Sequence, residues 1–310
     1  AQSLSGHGRR AAVADRHPLR SRLRAGMNAI RIARYTLVPR RALSARADAA
    51  PRRGALVRID DGFGDIFPWP ELGDAPLDEQ LALLARGETT PLTARTLALA
   101  RIDGEARRAG RSLFDGLTIP RSHWSGIDPS PEFDTIKVKG GPDFDAASLP
   151  DRVRVRIDFN GTLDAEEFGR MPLPRERIDF IEDPVPYDAG TWRALRECTG
   201  LRLALDRIVA TDGVDVLIVK PALQELPEVT RPLVITSSMD HPVGQFGAAY
   251  IAAKHASRID ERCGLFTHVL YEANEFSDAI RADGSRLLPP AGTGIGFDAL
   301  LERMLWVPLR

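Results

Sequence analysis

Lysine is rare in this chain, and most of its lysines lie where they could transfer protons. Of 42 Lys and Arg residues, only four are lysines: Lys137, Lys139, Lys220 and Lys254. Arginine stays protonated at any accessible pH, whereas a lysine in a dry pocket or beside other cations can be tuned to act as a base. The first two belong to the run 135–139, and the third follows the apolar run 216–219. Three of the four are therefore candidates for proton transfer at strand ends.

Three acids occupy equivalent positions at the ends of successive predicted strands. Asp158, Glu182 and Asp206 follow one another at intervals of 24 residues. One βα unit per interval would direct all three carboxylates to the same mouth of a barrel. A single acid after a strand often only caps a helix, but three in one register with lysines nearby favour a site. Converging carboxylates repel each other unless a hard cation lies among them, so we predict a Mg²⁺ site, with Mn²⁺ as a substitute.

Lysines beside such a metal suit the removal of a proton from the carbon next to a substrate carboxylate. That carbon acid is very weak, so the negative charge must be neutralised as the proton leaves. We expect Lys139 to be the base, and Lys137, two residues earlier on the same strand face, to lower the pKa of Lys139 and contact the carboxylate. Lys220 would face both from the opposite side. The alternative for the first two is an edge strand with solvent-facing lysines.

Short apolar runs at fairly regular intervals predict the elements that carry these residues. The predicted strands are residues 135–139, 153–159, 178–181, 203–205, 216–219, 233–235 and 265–269. Helix-like segments such as 189–198 and 244–255 separate several of them, which is typical of a parallel sheet buried on both faces. Because a polar candidate follows nearly every strand, we expect an α/β fold with a TIM-type β/α barrel. An open doubly wound sheet is the alternative.

The residues before these strands predict a smaller α+β domain, residues 27–115. Strand patterns at 29–38 and 55–59 precede the turn-rich segment 61–65. Apolar spacings of three and four then predict two helices, residues 77–84 and 93–109, the second followed by Gly110 in a left-handed cap. We expect this domain to cap the barrel.

The other boundaries follow from changes in composition. Residues 1–26 contain six arginines and no apolar periodicity, which predicts a disordered extension, with a transit peptide as the alternative. The barrel would span 116–286, and a C-terminal segment, 287–310, would pack back toward the capping domain.

Overall composition indicates a large globular chain that can bury a sizeable core. The chain has 310 residues, 43% of them hydrophobic, and a formal net charge of −1. Near-neutrality argues against nucleic acid as a partner, and no apolar run has the ~20 residues that cross a bilayer. The cysteines, Cys198 and Cys263, lack metal-ligand spacing and suggest a cytoplasmic protein. We expect a small-molecule carboxylate as the ligand, and the sequence does not predict the oligomeric state.

Taken together, these motifs resemble a known superfamily. The carriers are Thr-x-Lys-x-Lys at 135–139, Arg-Ile-Asp-Phe-Asn at 156–160, Glu-Asp-Pro at 182–184, the strand-end Asp206, and Lys-Pro at 220–221. They are similar to the enolase superfamily, in its muconate-cycloisomerase-like branch, and that superfamily is a standard example of a lysine base working beside Mg²⁺. Phe-Gly-Asp-Ile-Phe-Pro-Trp-Pro at 63–70 and Ile-Thr-Ser-Ser-Met-Asp-His-Pro at 235–242 resemble the o-succinylbenzoate synthase family within that branch.

The resemblance implies a role for each matched residue. The roles are metal ligands (Asp158, Glu182, Asp206), opposed catalytic lysines (Lys139, Lys220), substrate contacts (Lys137, Ser237, Ser238) and groups that orient the ligands (Asn160, Asp183). It also implies a (β/α)7β-like barrel, which the 14-residue interval from Asp206 to Lys220 would trim.

The activity implied is a lyase reaction of menaquinone biosynthesis. A succinyl-hydroxycyclohexadiene carboxylate would lose water by syn-elimination, through an enediolate, to give o-succinylbenzoate. An N-acylamino acid racemase or dipeptide epimerase of the same superfamily is the alternative, because it also needs two opposed lysines. A barrel that binds carboxylates without turnover is less consistent with the intact lysines and acids.

Overall fold

The computed structural model describes residues 30–43, 49–207, 212–259 and 262–310. The predicted N-terminal extension lies outside these ranges. In the N-terminal part, the elements are β1 (Ile30–Leu37), β2 (Arg52–Ile59), β3 (Gly62–Ile66), α1 (Leu77–Ala85) and α2 (Pro91–Arg108). The three strands form an antiparallel sheet against which both helices pack. The predicted α+β character of this region is therefore present.

Strand β3 corrects the prediction of a turn-rich segment at 61–65. The turn itself is short, with Asp60 in the left-handed region at φ 52°. Beyond it, residues of β3 pair with β2 from Gly62 to Ile66. A Cβ atom at Gly62 would lie 1.8 Å from the carbonyl oxygen of Ala100 in α2. The glycines that suggested a turn are thus needed because the strand and helix approach closely.

Helix α2 is bounded by local capping signals. The Thr90 side chain accepts from the Thr93 N–H, the Thr93 hydroxyl accepts from the Thr90 N–H, and Pro91 opens the helix. At the other end Gly110 adopts φ 63°, which confirms the predicted left-handed cap. Such caps stabilise the helix ends by satisfying backbone groups that have no partner within the helix.

The central part of the chain forms a parallel sheet of seven strands with helices between them. Its elements are β4 (Trp124–Ser125), β5 (Thr135–Lys139), β6 (Arg154–Asp158), α3 (Ala165–Arg170), β7 (Ile178–Glu182), α4 (Ala189–Thr199), β8 (Leu203–Leu205), β9 (Val216–Val219), β10 (Leu233–Ile235) and α5 (Pro242–Lys254). The strands are ordered sequentially from β4 to β10. No helix occurs between β8 and β9 in the residues described there, so the predicted trimming of that unit is observed.

The sheet closes into a barrel through two isolated bridges rather than a full eighth strand. Cys263 bridges Ser122 next to β4, and Gly264 bridges Thr236 after β10, both in parallel. The prediction of a strand at 265–269 was wrong, because the pairing falls just before it and His268–Leu270 is a 3-10 turn. Among the described residues, the bridges to these two neighbours fall on Cys263 and Gly264.

Several barrel strands bury apolar side chains on both faces. Their outward side chains join the main core against the helices, including Val155, Ile157, Ile181, Leu203 and Leu217. A small inner cluster consists of Phe180, Ala204, Val216, Ile218 and Val234. These apolar residues precede, along the same strands, the polar residues at the strand ends such as Glu182 and Lys220.

The C-terminal part returns to the N-terminal sheet. It contains α6 (Glu275–Asp278), β11 (Arg281–Asp283), β12 (Arg286–Leu288), α7 (Asp298–Glu302) and β13 (Val307–Pro308). Strand β13 pairs with β1, and Arg107 of α2 lies 2.6 Å from Asp298. Within the described residues, no helix has the length and apolar character needed to span a membrane. The proposed domain boundaries at 115 and 286 stay predictions.

Candidate active site

The predicted site residues lie at one end of the barrel because parallel strands bring their carboxyl ends together. Lys139, Asp158 and Glu182 are the last residues of β5, β6 and β7, and they are neighbours in the strand register. Asp206 and Lys220 directly follow β8 and β9. The 24-residue spacing in the sequence thus corresponds to one βα unit per strand.

Three carboxylates, two buried and the third half-buried, form the group best arranged for a cation. Side-chain oxygens of Asp158, Glu182 and Asp183 lie within 4.8 Å of one another. Asp206 is adjacent rather than part of this group. Its carboxylate pairs with the Lys220 ammonium, and its N–H donates to Asp183 Oδ1 at 3.2 Å. Asp206 as a metal ligand stays a prediction, and Asp183 joins the candidates because of its position.

Two lysines of β5 surround these carboxylates. Lys137 Nζ lies 2.6 Å from Glu182 Oε1 and 3.0 Å from Asp158 Oδ2. Lys139 Nζ lies 2.6 Å from the same Asp158 oxygen and donates to Asn160 Oδ1 at 3.3 Å. Both side chains therefore point into the barrel mouth, as predicted from their i, i+2 spacing.

Lys220 lies across the barrel from Lys139. Strands β5 and β9 are four positions apart in the sheet order, and the two bridges complete a ring of about eight positions. Two strands separated by half of such a ring face each other. The predicted opposition of these lysines is therefore consistent with the topology.

The electrostatics of the group depend on burial and on the lysines. Burial raises the pKa of the Glu182 carboxyl to about 7, with a further rise from the Asp158 carboxylate. For Asp158, burial opposes ionisation, but the ammonium groups of Lys137 and Lys139 hold its pKa well below the usual range. For Lys137, burial favours the neutral amine, but the carboxylates of Asp158 and Glu182 raise its pKa above the usual value. Lys137 is thus a fixed cation.

The donor set fits a hard divalent cation. Glu182 Oε2 is buried and has no hydrogen-bond partner among the described residues. Burying a carboxylate oxygen without a partner is costly, and oxygen ligands from two or three carboxylates suit Mg²⁺. The unpaired oxygen belongs to the carboxylate group whose members lie close enough together to share an ion. These residues could therefore hold Mg²⁺.

Backbone turns at the strand ends are unusual and recur at each acid. Asn160, Asp183 and Arg207 all have positive φ, at 52°, 43° and 51°. Left-handed geometry costs a non-glycine residue roughly 1–3 kcal/mol, and such residues cluster at functional sites. The left-handed residue follows Glu182 and Asp206 directly and lies two residues after Asp158. At Asp183 this geometry directs the side chain toward its neighbours.

A cavity of about 300 Å³ opens beside these groups. Its lining includes the candidates Lys137, Lys139, Asp158, Asn160, Asp206, Lys220, Ser237 and Ser238. Ser237 Oγ lies 2.6 Å from Thr267 Oγ1, whereas Ser238 Oγ is buried without a partner in the described chain. Trp69 covers the cavity from the N-terminal sheet side and donates to the Ser238 carbonyl at 2.8 Å. Of the two serines, Ser238 therefore has the hydroxyl available for a ligand.

Several lining residues were not predicted from the sequence as site residues. They are Arg41, His123, Arg207, Thr236 and Thr267. Their only sequence signal was proximity to a strand end, which many structural residues share. Of the other histidines near strand ends, His241 accepts from the Val243 N–H and caps α5, and His268 contacts Gln245 at 2.9 Å. Only tertiary structure separates His123 from these two.

A second pair of acids lies behind the cavity, where the N-terminal sheet meets α5. A Cβ atom on Gly244 would lie 2.6 Å from Asp65 Oδ2 and 2.7 Å from Asp240 Oδ2, so the two carboxyls are close. Tyr35 donates to Asp65 Oδ1 at 2.5 Å, and Asp240 Oδ1 has no partner in the described chain. Burial raises the pKa of Asp240 to about 7 and that of Asp65 well above its usual range.

This pair predicts a pH-dependent stability that Asp240→Asn should reduce. Between pH 4 and 7 the folded state holds a proton that the unfolded state releases, so the free energy of unfolding falls as pH rises. One such group contributes at most about 1.4 kcal/mol per pH unit. Urea unfolding at pH 5 and pH 8 should show a smaller decline for Asp240→Asn than for wild type. The exposed control Asp283→Asn should match wild type, and equal declines in all three would contradict the prediction.

Comparison with solved structures identifies the class of fold. An L-Ala-D/L-Glu epimerase from Bacillus subtilis has a TM-score of 0.69 at 16% identity, covering 86% of this chain and 97% of that chain. A member of the enolase superfamily from Roseovarius nubinhibens, complexed with magnesium, has a TM-score of 0.61 at 16% identity, covering 86% and 95%. The fold is that of enolase-superfamily barrels, which confirms the predicted fold class.

Sequence comparison gives the family. The family model described as the N-terminal domain of O-succinylbenzoate synthase matches residues 30–106. The o-succinylbenzoate synthase of Bdellovibrio bacteriovorus is 31% identical over 320 residues, covering 89% of this chain and 97% of that protein. This chain therefore belongs to the o-succinylbenzoate synthase family. The resemblance deduced from the motifs is confirmed, as is the prediction of an enzyme.

Proposed function

We propose that this protein converts a succinyl-hydroxycyclohexadiene carboxylate to o-succinylbenzoate by Mg²⁺-dependent syn-dehydration, in menaquinone biosynthesis. The observation that carries the proposal is the 31% identity to an o-succinylbenzoate synthase over most of the chain, together with Lys139 and Lys220 on facing strands and a largely buried carboxylate group. A cavity of about 300 Å³ lies at the lower end of the usual range for small-molecule sites. That volume suits a small-molecule substrate such as the proposed carboxylate.

Lys139 is the group best exposed to a substrate. Its side chain is 34% accessible, against 16% for Lys137 and 13% for Lys220. Lys139 would accept the proton from the carbon next to the substrate carboxylate. The same ammonium would then protonate the departing hydroxyl, which leaves as water from the same face of the ring. One lysine on one face therefore accounts for a syn-elimination.

The other residues would hold the substrate and its developing charge. Lys137 would contact the substrate carboxylate as a fixed cation, and Lys220 would stabilise the intermediate from the opposite face. Asp158, Glu182 and either Asp183 or Asp206 would hold the metal. When bound, Mg²⁺ would neutralise negative charge on the substrate carboxylate as the proton leaves. Ser238 would donate to the distal carboxylate of the succinyl chain.

The direct test is an absorbance assay for aromatisation of the cyclohexadiene substrate. Turnover should appear with Mg²⁺, disappear with EDTA and return when excess Mg²⁺ is added. Activity that resists EDTA would contradict the role of the metal. Absence of aromatisation under all three conditions would contradict the proposed reaction.

The second candidate, racemisation of N-acyl amino acids or epimerisation of dipeptides, is favoured by the same opposed lysines. A racemase would use Lys139 and Lys220 on the two faces of one carbon, so Lys220→Arg should abolish deuterium exchange from one enantiomer only. A dehydratase would need Lys220 as a positive charge, so the same change should slow aromatisation without enantiomer-specific exchange. We expect the second pattern. Rapid racemisation of N-succinyl amino acids without aromatisation would support the alternative.

A further inference from the structure

His123 lies inside the barrel mouth and has no role in the chemistry described above. It precedes β4, is 2% exposed, and lines the cavity together with Lys137, Thr236 and Gly264. Its backbone N–H donates to the carbonyl of Cys263 at 2.9 Å, which fixes it to the closing bridge of the barrel. A buried histidine at the wall of a substrate cavity needs an explanation for both ring nitrogens.

The Nδ1 side of the ring contacts a buried arginine that is itself held firmly. Arg156 is 1% exposed and donates through Nε to Asp179 Oδ2 at 2.8 Å. Its guanidinium lies 4.6 Å from the centre of the Phe180 ring and also donates to the backbone carbonyl of Arg262. These contacts fix the position of the arginine nitrogen that faces His123.

The contact with Arg156 determines which nitrogen of His123 carries the proton. Arg156 Nη1 lies 2.9 Å from His123 Nδ1. A guanidinium only donates, so Nδ1 must accept, and the ring is neutral with its proton on Nε2. Burial, with the nearby charges of Arg156 and Lys137, also lowers the pKa of His123 well below its usual value.

The Nε2 side of the ring lies beside Gly264, and both residues line the cavity. A Cβ atom at position 264 would lie 3.0 Å from both Nε2 and Cε1, so a side chain there would crowd the ring edge that carries the Nε2 proton. In the described part of the chain Nε2 has no hydrogen-bond acceptor. Thr236, which lines the same cavity, has a buried Oγ1 without a partner among those residues. Two polar atoms at the cavity wall thus lack partners within the part of the protein that the structure describes.

We propose that His123 is a substrate-positioning residue, whose neutral imidazole donates a hydrogen bond from Nε2–H to an oxygen of the carboxylate substrate. Arg156 acts through it by keeping the donor on the cavity side. A neutral donor orients the substrate oxygen by a hydrogen bond. It adds no positive charge beside the lysines and no further group that exchanges protons with the substrate. The identity of the substrate in this proposal rests on the proposed function. The tautomer of the His123 ring does not depend on it.

Kinetics of His123 variants test the hydrogen bond. His123→Leu removes the donor and should raise KM by roughly 10–100-fold with little change in kcat, because the bond is made in both the bound and the transition states. His123→Gln places an amide donor near the former Nε2 and should restore KM to within about threefold of wild type. His255→Leu, a histidine outside the cavity, is the matched control and should match wild type. Thermal melting of each variant reports folding.

Nitrogen-15 NMR of histidine-labelled protein tests the ring directly. We expect an Nε2–H tautomer in the free protein, and a shift of the Nε2 resonance when o-succinylbenzoate is added. The tautomer should be lost in Arg156→Gln if that variant folds. In wild type, an Nδ1–H or doubly protonated ring would overturn the proposal.

The kinetic outcomes separate this proposal from the proposed function. Wild type that does not aromatise the cyclohexadiene refutes the proposed function, whatever the state of the ring. An active wild type whose KM survives His123→Leu refutes the positioning role. If His123→Gln is as impaired as His123→Leu, the ring acts only by packing, and the proposal is again refuted.

Discussion

Glu182→Gln is expected to abolish turnover and to weaken Mg²⁺ binding by more than roughly 100-fold, while the protein stays folded. Groups that only orient a ligand typically account for about 10–100-fold in metal affinity, and a direct ligand should exceed that. Glu182 is 1% exposed, and its Oε2 has no partner among the described residues. Replacing that oxygen with an amide donor removes one charge and turns a donor toward the cation.

The same substitution should leave the fold intact because glutamine has nearly the same shape. The other oxygen, Oε1, accepts from Lys137 at 2.6 Å, and an amide oxygen can keep that hydrogen bond. Titration calorimetry with Mg²⁺ and a thermal melt separate loss of binding from loss of structure. Glu197→Gln, an exposed change on α4, is the control for the lost charge. If Glu182→Gln binds Mg²⁺ with unchanged affinity, Glu182 is not a metal ligand.

The strand-end register was predictable from the sequence because it depends on the length of one βα unit. Asp158 and Glu182 are paired neighbours in the sheet, as their 24-residue interval predicted. The lysine pair was predictable from the two-residue period of a strand. The direction of side chains that follow the strand ends was not predictable from the sequence. Asp183 joins the carboxylate group because its backbone turns at φ 43°, which no local pattern in the sequence indicates.

Contacts between elements distant in sequence explain the other features that the sequence analysis predicted wrongly or missed. The glycines of β3 favour a turn by local propensity, but the approach of α2 makes them necessary in a strand. The apolar run after Gly264 has the composition of a strand, yet the strand-like pairing in this part of the described chain falls on residues 263 and 264. His123 became a site residue only because Arg156 and Gly264 lie on either side of its ring. In each case the deciding partner is far away in sequence.

Lys139→Arg is expected to reduce turnover by about 10²–10⁴-fold, the usual contribution of a general base. Arginine keeps the positive charge, so the ion pair with Asp158, now 2.6 Å, can persist and the protein should fold normally. The guanidinium cannot release a proton at accessible pH, so it cannot accept one from the substrate. The expected signature is a large fall in kcat with a small change in KM.

The chain provides a matched control for this change in Lys254→Arg. Lys254 ends α5, and its Nζ lies 5.8 Å from the centre of the Tyr250 ring, a contact that arginine can also make. The turnover of Lys254→Arg should equal that of wild type. Single-turnover aromatisation at saturating Mg²⁺ measures the chemical step in all three proteins. If Lys139→Arg stays within tenfold of wild type while Mg²⁺ binding is unchanged, another group removes the proton, and Lys220 is the next candidate because it faces the same cavity.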